Sequence, residues 1–302
     1  MTARKLKISP SRASDFLRCP QLYKFRVVDR RPEPQSEHAV RGSIVHRVLE
    51  LLHKSPPRQR TLELAWEHLA DTIDRFSETL RELYEQSFSA DMEEGPGPLA
   101  ASSSARSAGG NPASQTAAFD AYRQEILQWA WKMIENYFAT EDPRAVQALA
   151  TEKWIEVELD FDDDELLSGV SLMGRIDRLE KDETDNLVVT DYKTGKAPSE
   201  RYAKEAFFGL WFYALVLAKL AHNGGKSAPF VGTPARVRLM YLQDGQVLED
   251  QITTRTLEFV ETKIKAVASA IARAHQNDGW RPNPGPLCNY CHFKLNGCPA
   301  FG

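Results

Sequence analysis

The chain is short of cysteine, of net charge and of long apolar runs, and each shortage excludes something. Four cysteines in 302 residues are too few for a disulfide scaffold. No uninterrupted apolar run approaches the roughly 18 residues that a bilayer-spanning helix needs. The charged start Met1-Thr2-Ala3-Arg4-Lys5 leads into no signal-peptide stretch. The expectation is a cytoplasmic protein without a membrane segment, in a reducing compartment where grouped cysteines mean metal or redox chemistry. A net charge of −4 argues against a general nucleic-acid coat protein, although phosphate binding needs only a local basic patch. Met1 to Arg31 carries such a patch, with nine Lys/Arg against Asp15 and Asp29. A P-loop is missing too: Gly225-Lys226-Ser227 has Leu220 where the earlier glycine belongs, so no helicase motor is expected in this chain.

What is present organises into helices around a short run of strands. Ser9-Pro10 reads as N-cap and first residue of a helix ending near Cys19, and Pro20 opens another. Helices are expected over 40–53 and 61–88. In Gly95–Ala113, 16 of 19 residues are Gly, Pro, Ser or Ala, too little bulk to order a chain. An amphipathic helix follows, with Phe119, Tyr122, Ile126, Trp129 and Met133 on one stripe. From Trp154 the pattern turns to strands, over 154–161, 170–180 and 187–193. A helix over 199–220 precedes a hairpin, 235–242 and 246–252, built on the two-residue turn signal Asp244-Gly245. A last helix over 256–276 leads into a Pro- and Cys-rich tail. The class is α/β or α+β, a mixed sheet flanked by helices. The chain reads as one unit, 1–302, with a helical N-terminal region over 1–140 that includes the disordered insertion 95–113. A sheet core follows over 152–255, and then a helix with the cysteine tail, 256–302.

The chemistry concentrates in Gly174-Arg175-Ile176-Asp177 and Val188-Val189-Thr190-Asp191-Tyr192-Lys193-Thr194-Gly195. Strand side chains alternate faces, so Asp191 and Lys193 point one way and Tyr192 the other. Asp177 on the neighbouring strand can bring a second carboxylate to the same place. Two carboxylates beside a lysine suit a hard cation such as Mg²⁺ or Mn²⁺, which acidifies a water and neutralises a phosphodiester. An acid-x-Lys pattern alone is a weak signal, since Glu261-Thr262-Lys263 repeats it on a helix. The difference is that an apolar strand leads straight into Asp191, and charge at the end of a buried strand is costly without a task. Gly42 and His46 share a helical face, which lets another backbone approach and an imidazole reach inward. Glu50 and His53 follow on that face as outer neighbours.

The cysteines fall as Cys19 near the start and Cys288-x2-Cys291-x6-Cys298 at the end. Four thiolates complete either a tetrahedral Zn²⁺ site or a 4Fe–4S cluster, and spacing does not separate the two. Nothing else in the sequence explains why Cys19 should meet partners so distant in the chain.

Taken together, these motifs resemble the RecB-family nuclease domains of the PD-(D/E)XK superfamily, in the cluster-bearing branch with AddB-type and CRISPR-associated exonucleases. The resemblance covers nearly the full chain, from Ser9-Pro10-Ser11 and Cys19-Pro20 through Gly42-x3-His46, Gly174-x2-Asp177 and Asp191-Tyr192-Lys193-Thr194-Gly195 to the terminal cysteines. It implies a restriction-endonuclease-like fold and DNA hydrolysis in repair or recombination. The substrate would be single-stranded or end-containing DNA, with a helicase as possible partner. It also implies that His46, Asp177 and Asp191 bind the metal, that Asp177 and Asp191 act with Lys193 as catalytic residues, and that the cysteines hold a structural 4Fe–4S cluster. Two departures stand out. Tyr213 matches the family's Gln-x3-Tyr, where it would position substrate, but Gly209 replaces the glutamine, mid-helix by this reading. Six residues rather than five precede Cys298, so that loop must bulge. The rival reading is a weakly active or inactive DNA-binding module serving a helicase.

Overall fold

The computed structural model describes residues 6–94, 112–161, 167, 169–222 and 232–301. Ser9 accepts a hydrogen bond from the Arg12 amide and Pro10 takes the first helical position, so α1 (Pro10–Arg18) begins where its capping residues dictate. Cys19 interrupts the helix, and α2 (Pro20–Tyr23) runs on into a π-helical turn over Lys24–Val28. The next helix, α3 (Glu37–Lys54), is capped by Ser36 and buries Val40, Ile44, Val48 and Leu52, a stripe at four-residue spacing. In place of one helix over 61–88 there are two, α4 (Leu62–Arg75) and α5 (Ser77–Glu94), because Phe76 leaves helical geometry between them. The insertion expected over 95–113 lies outside the described residues up to 111, whereas Pro112 and Ala113 already belong to α6 (Pro112–Thr140).

Among the described residues, six strands make one mixed sheet. They are β1 (Lys7–Ile8), β2 (Gln147–Leu159), β3 (Val170–Lys181), β4 (Leu187–Lys193), β5 (Arg236–Tyr241) and β6 (Gln246–Gln251), in the order β1-β3-β4-β5-β6 with β2 paired to β3. β1 and β5 run parallel to β3 and β4 respectively, and the remaining pairs are antiparallel. β2 starts well before Trp154, because residues 147–153 pair with β3 without presenting an apolar alternation. The β5–β6 register, Tyr241 opposite Gln246, leaves a four-residue connection with Gly245 at φ +67. That is longer than the two-residue turn the Asp-Gly pair suggested.

The parallel step from β4 to β5 passes through α7 (Glu200–Ala206) and α8 (Phe208–His222), which Phe207 separates. The span Glu200–His222 has the length and apolarity of a membrane helix. Its apolar residues have another use: α8 buries Leu210, Phe212, Leu215 and Val216 in the core it shares with α1, the sheet and α9 (Thr254–Asn277). The opposite face of the sheet, with Tyr192 and Met240, packs against α3, α4, α5 and α6. The sheet is therefore covered on both sides, the mixed α/β arrangement of a restriction-endonuclease-like fold.

Candidate active site

The site lies where two strands diverge. The β3–β4 ladder runs from Lys181↔Leu187 to Arg178↔Thr190 and stops. Asp177 and Asp191 are the next residue on each strand, so the opening receives a carboxylate from either side. The Tyr192 amide, facing this gap, donates to Asp177 Oδ2 at 2.9 Å. Across β3's other edge, Glu152 stands opposite Asp177, between the pairs Thr151↔Arg178 and Lys153↔Ile176. α3 delivers His46, whose Nδ1 is 3.4 Å from Asp177 Oδ2 and 3.7 Å from Glu152 Oε1. Its Nε2 lies 3.0 Å from the Tyr192 carbonyl oxygen. His46, Glu152, Asp177 and Tyr192 line an open cleft of about 790 Å³ together with Lys193, Arg47 and Arg175.

The donor atoms of His46, Glu152 and Asp177 all fall within 4.8 Å of one another, the one three-residue group of that kind among the described residues. Asp191, expected as a ligand, is not one of the three but is close enough to Asp177 and His46 to feel their charges. Lys193 Nζ sits 2.6 Å from Asp191 Oδ2, off the direction of a well-formed hydrogen bond, so the contact is chiefly one of charge. Burial and the neighbouring Asp177 push the Asp191 carboxyl up to about 6, against the pull of Lys193 and His46. Burial alone would lower the His46 pKa, but hydrogen bonds to Asp177 and Glu152 outweigh it and raise the imidazole to about 10. Lys193 is shifted upward as well: the Asp191 charge overcomes burial and keeps the ammonium protonated. The three carboxylates are therefore balanced by Lys193, by Arg175 at 3.6 Å from Glu152, and by a proton on His46. A divalent cation can take that proton's place, because metal binding and deprotonation of the ligands are coupled.

Glu152 was not legible as a site residue. It belongs to no motif and stands in an apolar-poor strand segment. Its one unusual property is a left-handed backbone, φ +47, which costs a non-glycine residue about 1–3 kcal/mol and recurs at functional sites. Gly174 has a clearer reason than its motif suggested. A Cβ there would lie closer than 3.0 Å to Tyr213 Cε1 and 3.3 Å from the hydroxyl oxygen, so glycine makes room for that ring. The Tyr213 pKa is pushed up by burial and by Asp191 and Asp177, and its oxygen accepts from the Arg175 amide. Gly42, by contrast, would meet only Thr194 Oγ1 at 3.5 Å, an ordinary contact. Gly209 is not mid-helix; it is the second residue of α8, where a Cβ would be 3.7 Å from Pro10. Glu50 reaches the cleft wall but is bound by Arg47 and Lys54, each at 2.6 Å. His53, two turns further along α3, faces Tyr137 and Arg178, and burial together with Arg178 and Arg60 lowers its pKa to about 2.

The family model described as the PD-(D/E)XK nuclease superfamily matches residues 7–295. The chain belongs to that superfamily. A divalent-metal-dependent nuclease acting on DNA follows at that level, and the His46–Glu152–Asp177 group offers a place for the metal. Among solved structures, the crystal structure of SSO0001 is similar at 15% identity, covering 62% of this chain and 77% of that chain with a TM-score of 0.36. No curated protein matches the chain.

The cysteines present a separate picture. Cys19, Cys288, Cys291 and Cys298 are free thiols lining one cavity of about 460 Å³. No three of their sulfurs lie within 4.8 Å of one another. Tetrahedral Zn²⁺ with bonds of about 2.3 Å would hold them roughly 3.8 Å apart, so the thiols are not gathered into a closed zinc-type site. The Asn283 and Gly285 amides point at Cys19 Sγ and Cys288 Sγ, both at 3.4 Å. Gly297, at φ +90, takes up the extra residue before Cys298, which packs with Cys19 and Cys291 against Leu22, Phe25 and Phe293. The start and end of the chain also meet without any cofactor. Tyr23 stacks on Trp280 at 5.8 Å, Arg18 donates to the Leu287 carbonyl, and Arg31 donates to that of Asn296. The expectation that only a shared metal could join them is therefore corrected.

Proposed function

We propose that this chain is an exonuclease of the RecB-like branch, cutting single-stranded or end-containing DNA in repair or recombination, with a helicase as its partner. The observation that carries the reading is the three-donor group beside the Lys193–Asp191 pair at the strand fork. His46, Glu152 and Asp177 would hold Mg²⁺ or Mn²⁺, with Asp191 completing the charge. The cation would acidify a water and neutralise the scissile phosphate. The chain's own groups supply orientation. The Tyr192 amide fixes the Asp177 carboxylate. Asp191 keeps the Lys193 ammonium charged at the cleft wall, where it meets the negative charge that grows on the phosphate. Tyr213, held by the Arg175 amide, borders the two aspartates and positions the substrate.

The four cysteines, in this reading, hold a 4Fe–4S cluster. Support comes from the shared cavity, from two backbone amides aimed at sulfur, and from an apolar wall of Leu22, Phe25 and Phe293. Such hydrogen bonds and exclusion of water are what tune and protect a cluster. Zn²⁺ remains the competing occupant.

The test is incubation of anaerobically purified protein with end-labelled single- and double-stranded DNA, with and without Mn²⁺. Cleavage should require the ion and disappear in Lys193→Ala and Asp191→Ala. Undiminished cleavage by cleanly purified Lys193→Ala would sink the assignment. DNA binding without cleavage would point to the inactive module instead.

A further inference from the structure

We infer that the Tyr192 hydroxyl and the Arg178 guanidinium form a clamp, on the face of the sheet that α3 and α6 cover, that positions the metal-binding groups, making Tyr192 a positioning residue. The inference rests on reading the cleft as a metal site.

Tyr192 has its backbone in the site and its ring in the core beside it, edge-on to His46 with centroids 6.0 Å apart. Its amide donates to Asp177 Oδ2 and its carbonyl oxygen faces His46 Nε2. The ring points to the face of the sheet that α3 and α6 cover, the side from which His46 also comes, and is 3% exposed. There its hydroxyl accepts from Arg178 Nη1 at 2.8 Å. Arg178 in turn is the immediate neighbour of Asp177, and its side chain is fully buried. On the β3 side the ladder has already stopped at Arg178↔Thr190. Tyr192 therefore has two links to β3, the amide to Asp177 in the site and the hydroxyl to Arg178 beside it. A shift of the Tyr192 backbone would disturb a hydrogen bond of one ligand and the carbonyl facing another.

The guanidinium is itself held firmly. Nη1 reaches Glu141 Oε1 at 2.6 Å and Nη2 reaches Glu141 Oε2 and Glu180 Oε1, both at 3.0 Å. Arg238 bridges the same two glutamates, with Glu141 Oε2 at 2.8 Å and Glu180 Oε1 at 3.6 Å. Two arginines thus face two carboxylates. Charges buried this way stay put, because displacing one partner leaves another uncompensated. Glu141 closes α6 and Glu180 lies on β3, so the anchor joins the helical layer to the sheet beside the fork.

A plain structural role predicts loss of stability alone; a positioning role predicts loss of metal affinity as well. The experiment is Mn²⁺ titration calorimetry on the full chain without DNA, beside thermal melting. Tyr192→Phe should weaken Mn²⁺ binding by about ten-fold, the low end of what partners of metal ligands contribute. Thr190→Val is the control. It removes the Thr190 hydroxyl's 2.6 Å bond to Glu180 in the same network, two residues from Tyr192 on the same strand, and should lower the melting temperature without changing Mn²⁺ affinity. Unchanged affinity in Tyr192→Phe, or an equal loss in Thr190→Val, overturns the inference. Should Tyr192→Phe not fold, Arg178→Lys, which keeps the charge but loses the fork, reads the same quantity. Wild-type protein that binds no Mn²⁺ would instead bring down the functional reading on which the inference rests.

Discussion

Replacing Gly174 by alanine tests whether the strand that carries Asp177 is shaped around Tyr213. The added methyl would sit closer than 3.0 Å to Tyr213 Cε1, inside any real carbon–carbon contact. The ring must then retreat by several tenths of an ångström. It is poorly placed to do so, since its oxygen is bonded to the Arg175 amide one residue from the clash. Overpacking of this kind costs about 1–3 kcal/mol, and loss of the hydrogen bond about 1 kcal/mol more. Gly174→Ala should therefore destabilise the chain by about 2–4 kcal/mol in urea unfolding followed by tryptophan fluorescence. With Tyr213→Ala already in place the methyl has room, and the same change should be neutral or stabilising by about 0.5–1 kcal/mol, because glycine in a strand loses more freedom on folding. A double-mutant cycle isolates the coupling. If Gly174→Ala costs the same with and without Tyr213, the clash lies elsewhere and the account of this motif is wrong.

Other consequences follow from the same geometry. Glu152→Asn keeps a residue that tolerates the left-handed backbone while removing its charge; calorimetry should show Mn²⁺ binding weakened at least about ten-fold with stability unchanged or raised. His53 is neutral in the fold with its pKa lowered to about 2 by burial and Arg178, whereas the unfolded chain protonates it near 6.5. Its contribution is therefore complete above pH 6.5 and lost as pH falls below that. Stability curves of His53→Gln between pH 6 and 4 should be shallower than wild type by about 1.4 kcal/mol per pH unit. A Cβ at Gly209 meets only Pro10, in ordinary contact at 3.7 Å, so in Gly209→Gln thermal melting should show no loss of stability and cleavage should be unchanged or faster. Anaerobically purified protein should absorb visible light and carry iron, with the colour lost in Cys19→Ala but the N- and C-terminal segments still joined, as limited proteolysis would show. Colourless protein with stoichiometric zinc would replace the cluster.

The local sequence was enough for whatever depends on neighbours in the chain. Ser9-Pro10 sets the start of α1, and the apolar run Leu187–Val189 sets β4 and aims Asp191 and Lys193 to one side of it. His46 follows from the helical spacing that carries it inward. Those readings work because capping, periodicity and strand alternation act over a few residues. The tertiary structure alone decided where the strands diverge. The ladder's end at Arg178↔Thr190 is a property of two strands packed between helices, and nothing in either strand announces it. Glu152 enters the site because β2 registers it opposite Asp177, a pairing no spacing rule could supply. Likewise Phe76 and Phe207 end helices whose apolar patterns continue through them, since packing against the rest of the fold outweighs local propensity. Tyr192 shows the division most clearly: alternation says its ring turns away from Asp191 and Lys193, but only the fold says that a buried arginine is waiting for it there.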